Sequence, residues 1–188
     1  MTRVVCLLGS PRAGGNSDLL AGRFCEAAAA AGAEVARHYL RDLRFSGYRG
    51  DGSAGSNPRE DDLTPVLADV QAADVVVLAT PIYFCNMTGL LKQAFDRFFC
   101  FLKPDYLTNA VPTVLGRDKA LVLVQAQGEG PERYGDLLDQ YGPALDKLGF
   151  MRRDLVRACE VREPGEVMGD EDALERAGRL AEELVQRG

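Results

Sequence analysis

The chain has 188 residues, 46% of them hydrophobic and 27% charged, which excludes a disordered or fibrous protein. A fold of this length buries roughly 70% of its unfolded surface and needs no disulfide staples, so a single domain over 1–188 is expected. Against 22 Lys and Arg stand 28 Asp and Glu, a formal net charge of −6, which argues against nucleic acid or an anionic membrane surface as partner.

Arg3 to Leu8 is an apolar run of the kind that forms a strand buried on both faces. A helix follows from Asn16 to Ala31, opened by the capping types Asn16, Ser17 and Asp18 and closed before Gly32. Glu34 to Leu40 is the second expected strand, and Asp61 to Ala73 a helix that tolerates Pro65 near its first turn. Between them, Ser46 to Arg59 is rich in Gly and Ser and reads as a long mobile loop. Val75 to Ala79 is the third strand.

From Thr88 to Leu102, apolar residues recur at 90, 91, 94, 95, 98, 99 and 102, the 3.6-residue period of a helix. Its end, Phe98 to Leu102, is apolar nearly all round, as in a solitary core helix or one also covered by a second subunit. Ala120 to Ala126 is the fourth strand, Pro131 to Leu148 a helix, Leu155 to Ala158 a short fifth strand and Glu171 to Arg187 the closing helix. Strands alternating with helices predict an α/β three-layer sandwich. Its parallel sheet has helices on both faces, and the strand order 2-1-3-4-5 is the one assumed for it.

The cysteines, Cys6, Cys25, Cys85, Cys100 and Cys159, form no C-x-x-C pair, and His38 is the one histidine, too few soft ligands for a zinc site. The N-terminal apolar run is too short for a signal peptide, and no stretch approaches a membrane span. A reduced, cytoplasmic protein is expected.

In such a sheet the crevice lies beyond the strands' carboxyl ends, where the order reverses between strands one and three. The first loop there is Gly9-Ser10-Pro11-Arg12-Ala13-Gly14-Gly15-Asn16-Ser17. It leads into a helix N-terminus, whose free amides and dipole suit an anion, and Ser10, Arg12, Asn16 and Ser17 add donors and charge. A phosphate monoester fits. A Walker A loop would need Lys after Gly14, and the dinucleotide fingerprint would need Gly in place of Pro11.

The second loop is Thr80-Pro81-Ile82-Tyr83-Phe84-Cys85-Asn86-Met87-Thr88-Gly89. A flat heteroaromatic ring could pack on Pro81, Ile82, Tyr83 and Phe84 while the backbone bonds its polar edge, unless Tyr83 and Phe84 instead anchor the loop in the core. Cys85 reads as a small buried side chain and His38 as structural. Gln127 and Gly128 open a third loop, through Pro131, that could close over the ring or simply connect. Asp51-Gly52-Ser53-Ala54-Gly55 lacks the first glycine of a hydrolase nucleophile elbow.

Gly9-Ser10-Pro11-Arg12 with Asn16-Ser17, Thr80-Pro81-Ile82-Tyr83-Phe84, Leu91-Lys92 and Asp96-Arg97 resemble the NAD(P)H-dependent FMN reductases of the flavodoxin-like fold, near the iron–sulfur flavoprotein branch. The resemblance runs from about Arg3 to Leu148. It implies FMN, with its phosphate on the Ser10–Ser17 loop and its ring beside Pro81 to Asn86, and NAD(P)H as co-substrate. A homodimer or homotetramer is also implied. The branch's compact cysteine cluster has no counterpart in Phe45 to Asp62, so no iron–sulfur cluster is expected. The expected activity is hydride transfer from NAD(P)H through FMN to a quinone, flavin or nitroaromatic, with no catalytic side chain and no metal. The alternative is a flavodoxin-type electron carrier. A phosphoacceptor receiver would need acidic residues where Gly9-Ser10 stand.

Overall fold

The computed structural model describes residues 1–187 apart from 51, 53, 58 and 117. Among them, five strands form one sheet: β1 (Arg3–Leu8), β2 (Glu34–Tyr39), β3 (Val75–Pro81), β4 (Ala120–Ala126) and β5 (Arg152–Ala158). Its order is β2-β1-β3-β4-β5, and each neighbouring pair is parallel. The expected fold class is the one found. The helices are α1 (Asn16–Ala30), α2 (Leu63–Ala72), α3 (Gly89–Asp96), α4 (Leu137–Gln140), α5 (Gly142–Leu148) and α6 (Glu171–Arg187).

Side chains alternate across a strand, so each buried strand feeds two cores. Val5, Leu7, Val76, Leu78, Leu121 and Leu123 pack with Leu63, Val66, Leu91, Phe95, Leu137 and Leu145 of α2 to α5. Val4, Cys6, Leu8, Val77, Val122 and Val124 pack with Leu20, Phe24, Ala177 and Ala181 of α1 and α6. The register Leu7↔Leu78 and Leu78↔Leu123 keeps those faces aligned across the centre of the sheet.

Two expected helices end differently. The helix expected from Thr88 to Leu102 is α-helical only to Asp96, then tightens into a 3₁₀ turn over Arg97–Phe101. Arg97 is buried there: its guanidinium donates to Asp61 Oδ2 at 2.8 Å, to the Ser46 carbonyl at 2.9 Å and to Asn57 Oδ1 at 2.6 Å. The apolar repeat runs on through the tighter turn, so periodicity does not report the change. Phe98, Phe101 and Leu102 are buried within this chain, which leaves Phe99 and Cys100 half-exposed on that face.

The helix expected from Pro131 to Leu148 is broken into α4 and α5. Pro143 lacks an amide hydrogen and its ring would collide with the carbonyl four residues back, so it begins a helix rather than continuing one. In place of a strand at Leu155–Ala158, β5 begins at Arg152, because Arg152, Arg153 and Asp154 pair with β4 on an edge where charge is tolerated. The Ser46–Arg59 segment is tied down where it is described: Arg97 holds three of its residues, and Tyr48 packs its ring 5.0 Å from that of Phe99. Asp51 and Ser53, part of the sequence compared with a nucleophile elbow, lie outside the described residues.

Candidate functional site

β1 runs out at the sheet edge into Gly9, whose amide donates to the Ala79 carbonyl of β3 at 2.8 Å. A β-carbon at Gly9 would stand 2.6 Å from Leu91 Cβ, so only glycine lets α3 approach here. Ser10 Oγ then donates to the Arg12 carbonyl at 3.0 Å and accepts from the Arg12 amide at 3.1 Å, which closes the turn. α1 starts after Gly15, which offers its first amides no side-chain cap. Ser17 Oγ lies at that uncapped end, in a residue only 1% exposed, with no hydrogen-bond partner among the described residues. A buried hydroxyl left unpaired costs about 1–3 kcal/mol, so a ligand that takes it up gains correspondingly.

Beneath the loop, Asp18 Oδ2 accepts from Arg41 Nη1 at 2.7 Å. Burial pushes the Asp18 carboxyl above its usual range, against the hydrogen bond and charge of Arg41. Arg41 thus offsets an acid that would otherwise repel an anion above it.

The β3 loop is joined to the β1 loop by Thr88. Its Oγ1 donates to the Gly9 carbonyl at 2.7 Å and accepts from the Leu91 amide at 3.1 Å, capping α3. Its own amide donates to Thr80 Oγ1 at 3.0 Å. The two loops therefore converge on one edge, held by a threonine whose sequence signal was only that of a helix start.

Beyond Ile82 the chain makes a tight turn. The Tyr83 amide donates to the Asn86 carbonyl at 2.9 Å and the Asn86 amide back to Tyr83 at 3.2 Å. Phe84 and Cys85 occupy its centre with φ of 47° and 65°, the pair of left-handed residues that such a turn demands. Neither is glycine, so each carries strain of about 1–2 kcal/mol. Asn86 Oδ1 holds the turn by accepting from its own next amide, of Met87, and from Tyr141 Oη at 2.7 Å. Tyr83 and Phe84 are exposed rather than anchored in the core. Cys85 is exposed too, its Sγ 3.4 Å from Tyr134 Oη, so the expectation of a buried thiol is corrected.

A cleft of about 290 Å³ opens between these loops. Ser10, Arg12, Asn16, Ser17, Pro81, Ile82, Tyr83, Gln127 and Gly128 line it together. Phe84, Cys85 and Asn86 belong to the same turn as Tyr83 without lining the cleft, and Pro11 is exposed on the outside of its loop. Besides Ser10, two of the lining side chains are already spent. Asn16 bonds the 163–167 segment through both amide atoms. Gln127 accepts from Gln125 and donates to the carbonyls of Glu129, Gly130 and Arg133.

The cleft also includes Glu129, Val161, Arg162 and Pro164. The last three follow β5, whose expected end at Ala158 is also the observed one, so the strand-end rule could have indicated that loop. His38 sits apart, Nε2 2.7 Å from Asp69 Oδ2, which agrees with a structural part. Among the described residues no three His, Cys, Asp or Glu side chains gather as a metal site would require, and no helix is long and apolar enough to cross a membrane. The orphaned Ser17 hydroxyl, the uncapped start of α1 and Arg12 fit a phosphate. Pro81, Ile82 and Tyr83 supply apolar side chains on which an isoalloxazine could pack.

Comparison with known proteins agrees. Residues 2–132, well over half the chain, match the family NADPH-dependent FMN reductase. Over 186 residues the chain is 25% identical to YwqN of Bacillus subtilis (strain 168), a provisional NAD(P)H-dependent FMN-containing oxidoreductase, covering 95% of this chain and 96% of that protein. It is 26% identical over 187 residues to an iron-sulfur flavoprotein of Archaeoglobus fulgidus, covering 98% of this chain and 79% of the relative. The solved FMN-dependent NADH-azoreductase of Bacillus anthracis, in complex with FMN, superposes with a TM-score of 0.73 at 18% identity, over 98% of this chain and all of the other, and so shares the fold.

Proposed function

The chain belongs to the NADPH-dependent FMN reductase family, and from that premise we propose that residues 1–188 act as one FMN-binding unit that oxidises NAD(P)H and reduces a small acceptor. When bound, FMN would supply the redox chemistry between NAD(P)H and an acceptor such as a quinone, free flavin or nitroaromatic. The residues of the chain bind and orient. Ser17 Oγ, the first amides of α1 and Arg12 hold the phosphate. Pro81, Ile82 and Tyr83 flank the ring, and the backbone at Gly128 lines the same cleft from the β4 side. No side chain is asked to move a proton.

The observation that carries this reading is the buried Ser17 hydroxyl, unpaired at an uncapped helix start in a cleft shared with the Pro81–Tyr83 wall. We read the protein as cytoplasmic and as a homodimer or homotetramer. It is read without an iron–sulfur cluster because Phe45 to Asp62 contains no cysteine. A passive flavodoxin-type carrier is disfavoured by the family. The purified protein is expected to show a flavin spectrum, to be bleached by NADPH without air and to turn over repeatedly with a quinone. A protein that neither carries nor takes up FMN would overturn the proposal. Flavin binding without NAD(P)H oxidation would leave the carrier.

A further inference from the structure

The loop after β5 lies beyond the matched segment of residues 2–132, yet it brings a cation into the cleft. Asn16 Nδ2 donates to the Glu163 carbonyl at 2.9 Å, and Asn16 Oδ1 accepts from the amides of Gly165 at 3.0 Å and Val167 at 3.2 Å. The neighbour of Ser17 thereby clasps the neighbour of Arg162. From the other side, Glu166 Oε2 accepts from the amides of Arg162 at 2.6 Å and Glu163 at 3.0 Å, which fixes the turn. The Arg162 stem crosses Gly128, where an added β-carbon would stand 3.0 Å from Arg162 Cγ. The guanidinium forms no ion pair among the described residues, although its charge is felt by Glu166, whose carboxylate binds the Arg162 amide.

We propose that Arg162 is a second phosphate-gripping cation beside Arg12, and that Asn16 is the positioning residue that sets it there. This rests on the reading that the cleft binds FMN. A phosphate monoester carries about 1.5 to 2 negative charges at neutral pH. The start of α1 supplies roughly half a positive charge and Arg12 one, while Glu129 in the cleft wall subtracts one. One further cation brings the site close to balance, and of the cleft's lining side chains Arg162 alone remains to provide it.

The test is titration of the flavin-free protein with FMN and with riboflavin, followed by quenching of flavin fluorescence. Arg162 is exposed, so Arg162→Ala should fold normally. It is expected to weaken FMN roughly tenfold, more at low salt than at high, and to leave riboflavin unchanged. Arg162→Lys should recover part of the loss. Asn16→Ala should weaken FMN similarly but add little in the Arg162→Ala background, because it acts through Arg162. If Arg162→Ala binds FMN like the wild type while Ser17→Ala is impaired, the assignment of Arg162 fails and the flavin reading stands. Equal loss of both flavins also defeats it. If the wild type binds no FMN, the underlying reading fails with it.

Discussion

At the β1 end of the cleft the backbone is locked by its own hydrogen bonds, and a buried hydroxyl and the first helix amides are left over. At the β3 end the polar groups are spent on the turn itself, and two residues with φ of 47° and 65° push an aromatic side chain into solvent. The first end stores unmet donors, which an anion can satisfy without any rearrangement. The second stores backbone strain, which holds only because Asn86, Tyr141 and Tyr134 pin the turn. The same cleft thus pairs an end with unmet donors and an end walled by Pro81, Ile82 and Tyr83.

The largest expected effect tests whether the two ends work on separate parts of the ligand. Arg12→Ala combined with Ser17→Ala should weaken FMN by roughly 10- to 100-fold and leave riboflavin, which lacks the phosphate, unaffected. A parallel loss of both, in the same fluorescence titration, would show that the β1 loop does not hold the phosphate.

A smaller effect probes the pinned turn. Removing the Tyr141–Asn86 bond by Tyr141→Phe should cost about 1 kcal/mol in urea unfolding at neutral pH. Burial also raises the Tyr141 phenol above its usual 10.0, so the folded state favours the protonated form. That contribution is complete below the unfolded value near 10 and is lost as the pH rises through the folded one. Tyr141→Phe should therefore flatten part of the alkaline loss of stability. An unchanged alkaline limb would remove Tyr141 from the account.

The smallest effect sharpens the strain argument. Cys85→Gly relieves a left-handed residue while loosening the unfolded chain, for a net gain of about 0.5 kcal/mol. A clear loss in thermal melting would mean that the Sγ contact to Tyr134 outweighs the strain.

Much of this frame is legible in the chain itself. Arg3–Leu8 and Ala120–Ala126 coincide with observed strands, and Val75–Ala79 falls two residues short, because buried parallel strands read as unbroken apolar runs. The convergence of the 9–17 and 80–89 loops followed from strand order. Gly142-Pro143 carried a visible break signal that the helical stripe around it concealed. Cys85 misled because a small thiol in a loop reads as buried, and Phe84 because an aromatic beside a phosphate loop reads as a ring contact, whereas a two-residue left-handed turn turned both outward. Asn16 and Gln127 looked like ligand donors by type and position, yet each is consumed within the fold.

The sequence by itself determined which segments are strands and where a glycine-rich turn meets a helix. Those properties depend on the runs and periods of neighbouring residues. Only the tertiary structure decided which polar groups at the cleft remain free. That depends on partners about 80 residues away, as for Thr88 and Gly9, or nearly 150, as for Asn16 and Glu163, and no local pattern encodes them.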